Sequence, residues 1–107
     1  MKIEVLYVPD CPHHPAAMEQ LKGLLDREGI AAEIREVAVL DPRAAEALRF
    51  CGSPTIRING RDVAGEPEGL NNFAMSCRLY PGSKQTGVPP LEMIRSAVRA
   101  ARRSEKL

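Results

Sequence analysis

The sequence has little aromatic surface and almost no net charge. Its 107 residues include no tryptophan, two tyrosines and two phenylalanines, and the formal net charge at pH 7 is +1. So few aromatic rings argue against a surface for base stacking, and balanced charge gives no overall attraction for nucleic acid. We therefore expect no nucleic-acid partner.

Long apolar runs are also missing. The N-terminal apolar stretch is short and interrupted by charged residues, so it resembles neither a signal peptide nor a membrane span. No other stretch approaches the roughly 20 apolar residues that a transmembrane helix needs. These absences predict a cytoplasmic protein with no membrane partner. The length predicts a single domain over residues 1–107.

The three cysteines follow none of the common paired patterns. Cys11, Cys51 and Cys77 are odd in number, and no two of them form a C-x-x-C pair. A disulfide framework is typical of small secreted domains, and this spacing does not resemble one. In a reducing compartment such residues are buried apolar side chains, reactive thiols or metal ligands. We expect Cys51 to be a packing residue, since burial without chemistry is common for cysteine.

Periodicity and turn residues predict an α/β domain. Strands are predicted over 3–8, 32–39, 54–58 and 61–64, and helices over about 14–28, about 42–50 and from Pro89-Pro90 onward. Gly29 suits a helix C-cap, Asp41 a helix N-cap, and Asn59-Gly60 a two-residue hairpin. Residues 65–87 are predicted as a long loop containing a short helix or packed segment, and 102–107 as a basic tail.

The order of these elements predicts a four-stranded mixed sheet with helices on both faces. Because the first three strands alternate with helices, we expect all three to be parallel. The Asn59-Gly60 hairpin would add an antiparallel strand at one edge. The charged residues of the second strand favour a position at the other edge.

Cys11 is predicted to lie where the first strand ends and the first helix begins, in the sequence PDCPHH at 9–14. Ligands of open α/β sheets bind at the carboxyl ends of strands. The partial positive charge of a helix N-terminus stabilises a thiolate. We expect Cys11 to be reactive or metal-ligating, with His13 and His14 adding positive charge or exchanging a proton. The alternative is an inert cysteine buried at a turn.

Two segments resemble the thioredoxin-like superfamily, and their motifs are most similar to those of glutaredoxin-like proteins. The sequence YVPDCPHH at 7–14 resembles the strand–loop–helix active site that carries Cys-Pro-x-Cys, here as Cys-Pro-His-His. The sequence GSPTIRINGRDVAG at 52–65 resembles the second half of that site, where a cis proline precedes a strand, an Asn-Gly hairpin and a glycine turn. The resemblance implies a thioredoxin-like βαβαββα fold in which Pro54 is cis and faces Cys11. An ordinary trans proline opening an edge strand is the alternative.

The resemblance also implies roles for residues around Cys11. The turn at Ser53 and Pro54 would expose backbone that pairs with an extended thiol peptide, with Pro12 and Thr55 completing the substrate-binding site. His13 occupies the third position of the Cys-Pro-His-Cys motif of periplasmic disulfide oxidases, which implies a stabilised thiolate. His14 replaces the second cysteine of the motif, so a dithiol cycle within the motif is impossible.

Three functions remain open at this point. In the first, Cys11 is the nucleophile of a monothiol thiol–disulfide oxidoreductase or thiol-transfer protein without a cofactor. His13 and His14 hold its thiolate, and Cys77 or an external thiol resolves the mixed disulfide. Cys77 is equally suited to burial among its apolar neighbours in sequence.

In the second function, Cys11, His14 and Cys77 bind zinc, copper(I) or another thiophilic metal ion. In the third, a thioredoxin-like fold without catalysis serves as a protein-interaction module. The expected partner of the first function is a protein or small molecule with a thiol or disulfide. The edge strand near residue 35 allows a monomer or a weak homodimer.

Overall fold

The computed structural model describes residues 1–65, 78, 80 and 87–105. The described strands are β1 (Lys2–Tyr7), β2 (Glu33–Ala38), β3 (Thr55–Ile58) and β4 (Arg61–Asp62). The described helices are α1 (His14–Glu28), α2 (Pro42–Ala47) and α3 (Leu91–Glu105). The chain is therefore an α/β protein, and its helices and strands follow one another in the predicted order.

The four strands form one mixed sheet in the order β2-β1-β3-β4. Strands β1 and β2 are parallel, whereas β3 is antiparallel to both β1 and β4. The positions predicted for β2 and for the hairpin at the two edges are confirmed. The prediction that the first three strands are all parallel is wrong for β3.

A short helix, α2, lies between β2 and the antiparallel strand β3. A six-residue strand such as β1 spans about 20 Å, whereas the six residues of α2 rise only about 9 Å. The chain enters β3 at the end of the sheet where β2 ends. Thr55 therefore lies opposite Leu6, near the C-terminal end of β1. As a result, the residues that precede β3 lie beside the residues that follow β1.

Apolar residues of β1 point alternately to the two faces of the sheet and pack into a hydrophobic core on each face. Ile3 and Val5 pack on one face against α1 and α3. The buried residues of this core are Ile3, Val5, Met18, Leu21, Leu24, Leu25, Ile56, Ile58, Ile94 and Val98. Leu6 packs on the other face against Val39, Ala45 and Phe50, around α2. The helices thus cover both faces, as predicted.

The predicted turn residues adopt the predicted conformations. Gly29 ends α1 in the left-handed region at φ +64°, and its N–H donates to Asp26 O. The Asp41 carboxylate caps α2 by accepting from Ala44 N–H at 2.8 Å. Asn59 and Gly60 have φ values of +51° and +85°, as a tight hairpin turn requires.

Two predicted boundaries are corrected. Helix α2 ends at Ala47 rather than near Phe50, because Arg49 turns into the left-handed region at φ +52°. Residues 102–105 continue α3, so they are not a separate tail. The short helix or packed segment predicted within 65–87 falls mostly outside the described residues. Within the described part of the chain, no helix is long and apolar enough to cross a bilayer.

Candidate functional site

Cys11 lies in the tight turn between β1 and α1. Its N–H donates to Val8 O at 3.2 Å, and its carbonyl oxygen accepts from His14 N–H at 3.3 Å. Asp10 has a φ of +65°, a left-handed conformation that aspartate adopts more readily than most residues. Cys11 is a free thiol, and the residue is 7% exposed. Its backbone hydrogen bonds therefore hold Cys11 near the start of the helix, where the residue is almost fully buried.

The first turn of α1, at the positive end of the helix dipole, contains no acidic side chain. His13 is the N-cap residue, and its side chain makes no capping hydrogen bond. The helix has a proline in its first two positions. The partial positive charge of the helix is therefore not neutralised from within its first turn, which favours an anion beside it.

Ser53 connects the Cys11 turn to the turn that precedes β3. Its Oγ accepts from Val8 N–H at 3.1 Å, and the carbonyl of that same Val8 accepts from Cys11 N–H. The Ser53–Pro54 peptide bond is cis, as the resemblance implied. The two segments that the sequence singled out therefore lie next to each other at the carboxyl end of β1.

The backbone at Ser53 and Pro54 is not exposed, contrary to expectation. Arg78 N–H donates to Ser53 O at 2.9 Å, and Tyr80 OH donates to Pro54 O at 2.5 Å. Ser53 and Thr55 are each 0% exposed. Residues of this chain therefore occupy carbonyl groups of the backbone that was predicted to be exposed for a substrate.

Arg78 is also the centre of a polar cluster beneath this turn. Its Nη1 donates to Asp62 Oδ2 at 2.7 Å and to Thr55 Oγ1 at 3.2 Å. The guanidinium carbon lies 5.0 Å from the ring centre of Tyr80, within range of a cation–π interaction. The Thr55 hydroxyl in turn donates to Gly52 O at 2.6 Å. The cluster thus fixes the backbone on both sides of Pro54.

Burial and charge set the ionisation of this cluster. Burial by itself lowers the pKa of Arg78, but the hydrogen bond to Asp62 and the neighbouring negative charge outweigh it and raise that pKa. Burial raises the pKa of Tyr80 well above its ordinary value, although the Arg78 charge acts in the opposite direction. Arg78 is therefore a cation and Tyr80 a neutral phenol at physiological pH.

The two histidines contact different parts of the protein. The His14 ring stacks on Tyr7 with 3.9 Å between ring centres, and its Nε2 lies 2.8 Å from Glu36 Oε1. His14 Nε2 makes no hydrogen bond to a described residue, so its contact with Glu36 is an ion pair only when the imidazole is protonated. The His13 ring lies against Gly87, where an added Cβ would be 2.1 Å from His13 Cδ2.

The described residues do not assemble a metal site. No three histidine, cysteine, aspartate or glutamate side chains are grouped for metal binding among them, although Cys11, His13, His14 and Glu36 are all included. Cys77 was predicted as the third metal ligand and as a resolving thiol, and it lies outside the described residues. Pro12 is exposed beside Cys11. Cys51 is half-buried, with its Sγ 3.5 Å from Arg49 O.

A separate cleft of about 600 Å³ lies between the β3–β4 hairpin and α3. Small side chains of α3 such as Ala97 and Ala100 line one wall, and the hairpin lines the other. Of the residues that contact Arg78, Asp62 borders the cleft, whereas Cys11 and Ser53 do not line it. This cleft is therefore not the entrance to Cys11.

Comparison with protein-family models, curated proteins and solved structures finds no match to this chain. The assignment of function therefore depends on the site itself. Sequence reasoning missed Asp62, Arg78, Tyr80 and Gly87, since their contacts join segments far apart in the chain. One sequence signal was available for Arg78, because it directly follows Cys77.

Proposed function

We propose that the protein is a thioredoxin-like monothiol thiol–disulfide oxidoreductase or thiol-transfer protein in which Cys11 is the nucleophile. The observation that carries the proposal is the double contact of Val8. Its N–H binds Ser53 Oγ and its carbonyl binds Cys11 N–H, so the cysteine adjoins the turn before β3. A thiol at this position can meet an extended disulfide substrate that lies along that turn.

The helix supports the proposed chemistry. The free positive end of α1 stabilises a thiolate, and the thiolate is the nucleophilic form of cysteine. His13 and His14 flank the start of the helix, where a protonated imidazole would strengthen the same field. The Glu36 carboxylate lies 2.8 Å from His14 Nε2 on the strand beside β1.

The first step is a thiol–disulfide exchange. The Cys11 thiolate attacks one sulfur of the substrate disulfide and forms a new S–S bond to it. The substrate S–S bond breaks, and its other sulfur leaves as a thiolate that takes a proton from water. Cys11 is then part of a mixed disulfide, and the released substrate thiol has gained the electron pair.

The second step resolves the mixed disulfide in one of two ways. An external low-molecular-weight thiol, as its thiolate, attacks the substrate sulfur, forms a disulfide with it and releases the Cys11 thiolate. Alternatively, Cys77 attacks Cys11 Sγ, which forms a Cys11–Cys77 disulfide and releases the substrate thiol. Two molecules of an external thiol then reduce that disulfide and become oxidised to their own disulfide.

The pH dependence of Cys11 alkylation tests the proposal. In a Cys51→Ser background, iodoacetamide adducts at Cys11 are quantified by mass spectrometry between pH 6 and pH 8. When the pH is lowered from 8 to 6, the alkylation rate of an ordinary peptide thiol falls roughly eightyfold, because its thiolate fraction falls. We expect the loss at Cys11 to be smaller than that of the peptide thiol, since the proposed reaction depends on a thiolate beside the helix end. A pH profile equal to that of a short peptide with the sequence PDCPHH would exclude the proposal.

Three further measurements separate the alternatives. Mild oxidation that yields a Cys11–Cys77 disulfide would support the intramolecular route, and a Cys77→Ser variant that still turns over with external thiol would support the other. Stoichiometric zinc or copper in protein purified without added metal would instead favour the metal-binding function.

A further inference from the structure

The carbonyl groups of Ser53 and Pro54, here called the 53–54 edge, are both occupied by the protein's own chain. Arg78 N–H binds the first at 2.9 Å, and Tyr80 OH binds the second at 2.5 Å. An extended peptide that pairs with this edge needs the same acceptor atom of Ser53 that Arg78 now uses. A substrate and Arg78 therefore compete for one position.

Arg78 also fills the space beside the edge. A Cβ built on Gly52 would lie 2.9 Å from Arg78 Cβ and 3.1 Å from its Cα and N. Distances this short mean that the Arg78 backbone rests directly on the Gly52 backbone. A second chain cannot lie alongside residues 52–54 until Arg78 leaves.

The Asp62–Arg78 ion pair holds this arrangement. The two side chains are 2.7 Å apart, and they are 3% and 13% exposed. Asp62 is itself fixed, because its Oδ1 accepts from Ala64 N–H at 2.9 Å in the turn after β4. Withdrawing Arg78 would leave a buried carboxylate without its cation, which is strongly unfavourable.

We propose that Arg78 is an autoinhibitory occupant of the 53–54 edge and that the Asp62–Arg78 ion pair determines how readily a peptide disulfide gains access to Cys11. This inference rests on the proposed function, since the edge is a substrate site only if Cys11 reacts with disulfides. It predicts discrimination by substrate class. Reagents with no peptide backbone do not use the edge, whereas peptide disulfides must displace Arg78.

The test compares two reagents on the same thiol. One is iodoacetamide, and the other is a strand-forming peptide whose single cysteine is a mixed disulfide with 5-thio-2-nitrobenzoate, a coloured leaving group. The Asp62→Asn variant keeps the shape and the Oδ1 acceptor but removes the charge. We expect the ratio of the peptide-disulfide rate to the iodoacetamide rate at Cys11 to rise at least threefold in this variant.

Two other variants complete the design. Tyr80→Phe removes only the hydroxyl group that donates to Pro54 O, so we expect a smaller rise in the same ratio. This variant also tests the proposal if Asp62→Asn does not fold. Glu28→Gln removes the charge that faces Arg99 at 3.1 Å and Arg95 at 3.9 Å on the α1–α3 side, and the ratio should stay at the wild-type value. Circular dichroism establishes that each variant is folded.

The outcomes keep the two proposals distinguishable. An unchanged ratio in the folded edge variants would overturn autoinhibition while leaving the reactivity of Cys11 intact. An equal rise in Glu28→Gln would also overturn it, because the effect would then be general loosening. A Cys11 pH profile like that of a free peptide thiol would overturn the proposed function whatever the ratio shows.

Discussion

Asp62 and Arg78 lie 2.7 Å apart as an ion pair that is almost wholly enclosed by protein. Asp62 belongs to β4, the shortest described strand, and Arg78 follows it by 16 residues. An enclosed pair of this kind adds little stability relative to apolar residues of the same size, but removing one partner leaves the other charge buried and alone. The pair therefore links the hairpin to the backbone around Pro54.

Replacing one partner of this pair should cost far more than replacing both. We expect Asp62→Ala to lower the free energy of unfolding by about 3–5 kcal/mol. Adding Arg78→Met should recover part of that loss, because it removes the buried cation that Asp62→Ala leaves without its carboxylate. Urea titration of the two single variants and the double variant measures this coupling. Strictly additive losses would show that the two side chains do not act as a pair.

Gly52 should not tolerate a side chain. Its φ of +119° is unfavourable for other residues, and an added Cβ would be 2.9 Å from Arg78 Cβ. We expect Gly52→Ala to destabilise the protein by roughly 3 kcal/mol or more, from strain and overlap together. Gly60→Ala is the matched control, since Gly60 also has a positive φ (+85°) but nothing within 4 Å. It should cost only about 1–2 kcal/mol, and equal losses would contradict the close approach of Arg78.

Gly87 and His13 should show a compensating interaction. A Cβ on Gly87 would lie within 2.5 Å of three atoms of the His13 ring, so Gly87→Ala must move that ring or the backbone. We expect a loss of about 1–3 kcal/mol from overpacking. The double variant His13→Ala, Gly87→Ala should recover most of it, because the obstructing ring is gone. Thermal unfolding of wild type, the two single variants and the double variant gives a double-mutant cycle. If the double variant regains no stability, the His13 ring is not the group that the added Cβ overlaps.

Tyr80 should make the protein less stable at high pH. Burial raises the pKa of Tyr80, so the folded chain keeps this phenol protonated at pH values where the unfolded chain has ionised it. The folded state then binds more protons, and the free energy of unfolding falls as pH rises above about 10. Below that pH the contribution of Tyr80 is complete and constant.

The Tyr80→Phe variant isolates this effect. At pH 8 it should be less stable than wild type by about 1–3 kcal/mol, because the buried Pro54 carbonyl loses its donor. Above pH 10 its stability should decline less steeply than that of wild type, so the two curves approach each other. Parallel curves would show that Tyr80 is not the titrating group.

Local sequence signals predicted the elements of the fold better than their directions. The boundaries of α1, the caps at Gly29 and Asp41 and the hairpin at Asn59 depend on neighbouring residues alone, and all of them are confirmed. The direction of β3 depends on how far α2 carries the chain across the sheet. No local signal gives that distance, and the apolar spacing also placed the end of α2 at Ala47 three residues too late.

The candidate site was predictable only in part for a similar reason. The motifs around Cys11 and Ser53 are continuous in sequence, so their types and spacing could be recognised. The exposure of Ser53 depends on Arg78 and Tyr80, which reach it from a distant segment. No periodicity or motif within that segment indicates where it packs, so the occupied edge was visible only in three dimensions.

The hydrogen bond from Val8 N–H to Ser53 Oγ spans 45 positions of the chain. Both of its atoms lie outside the regular ladder of the sheet, so this amide is protected by the proximity of two turns rather than by a strand. Its hydrogen can exchange with solvent only when the two turns separate. The rate of hydrogen–deuterium exchange at this single amide therefore reports how often the cysteine turn separates from the turn before β3, and its measurement needs no substitution.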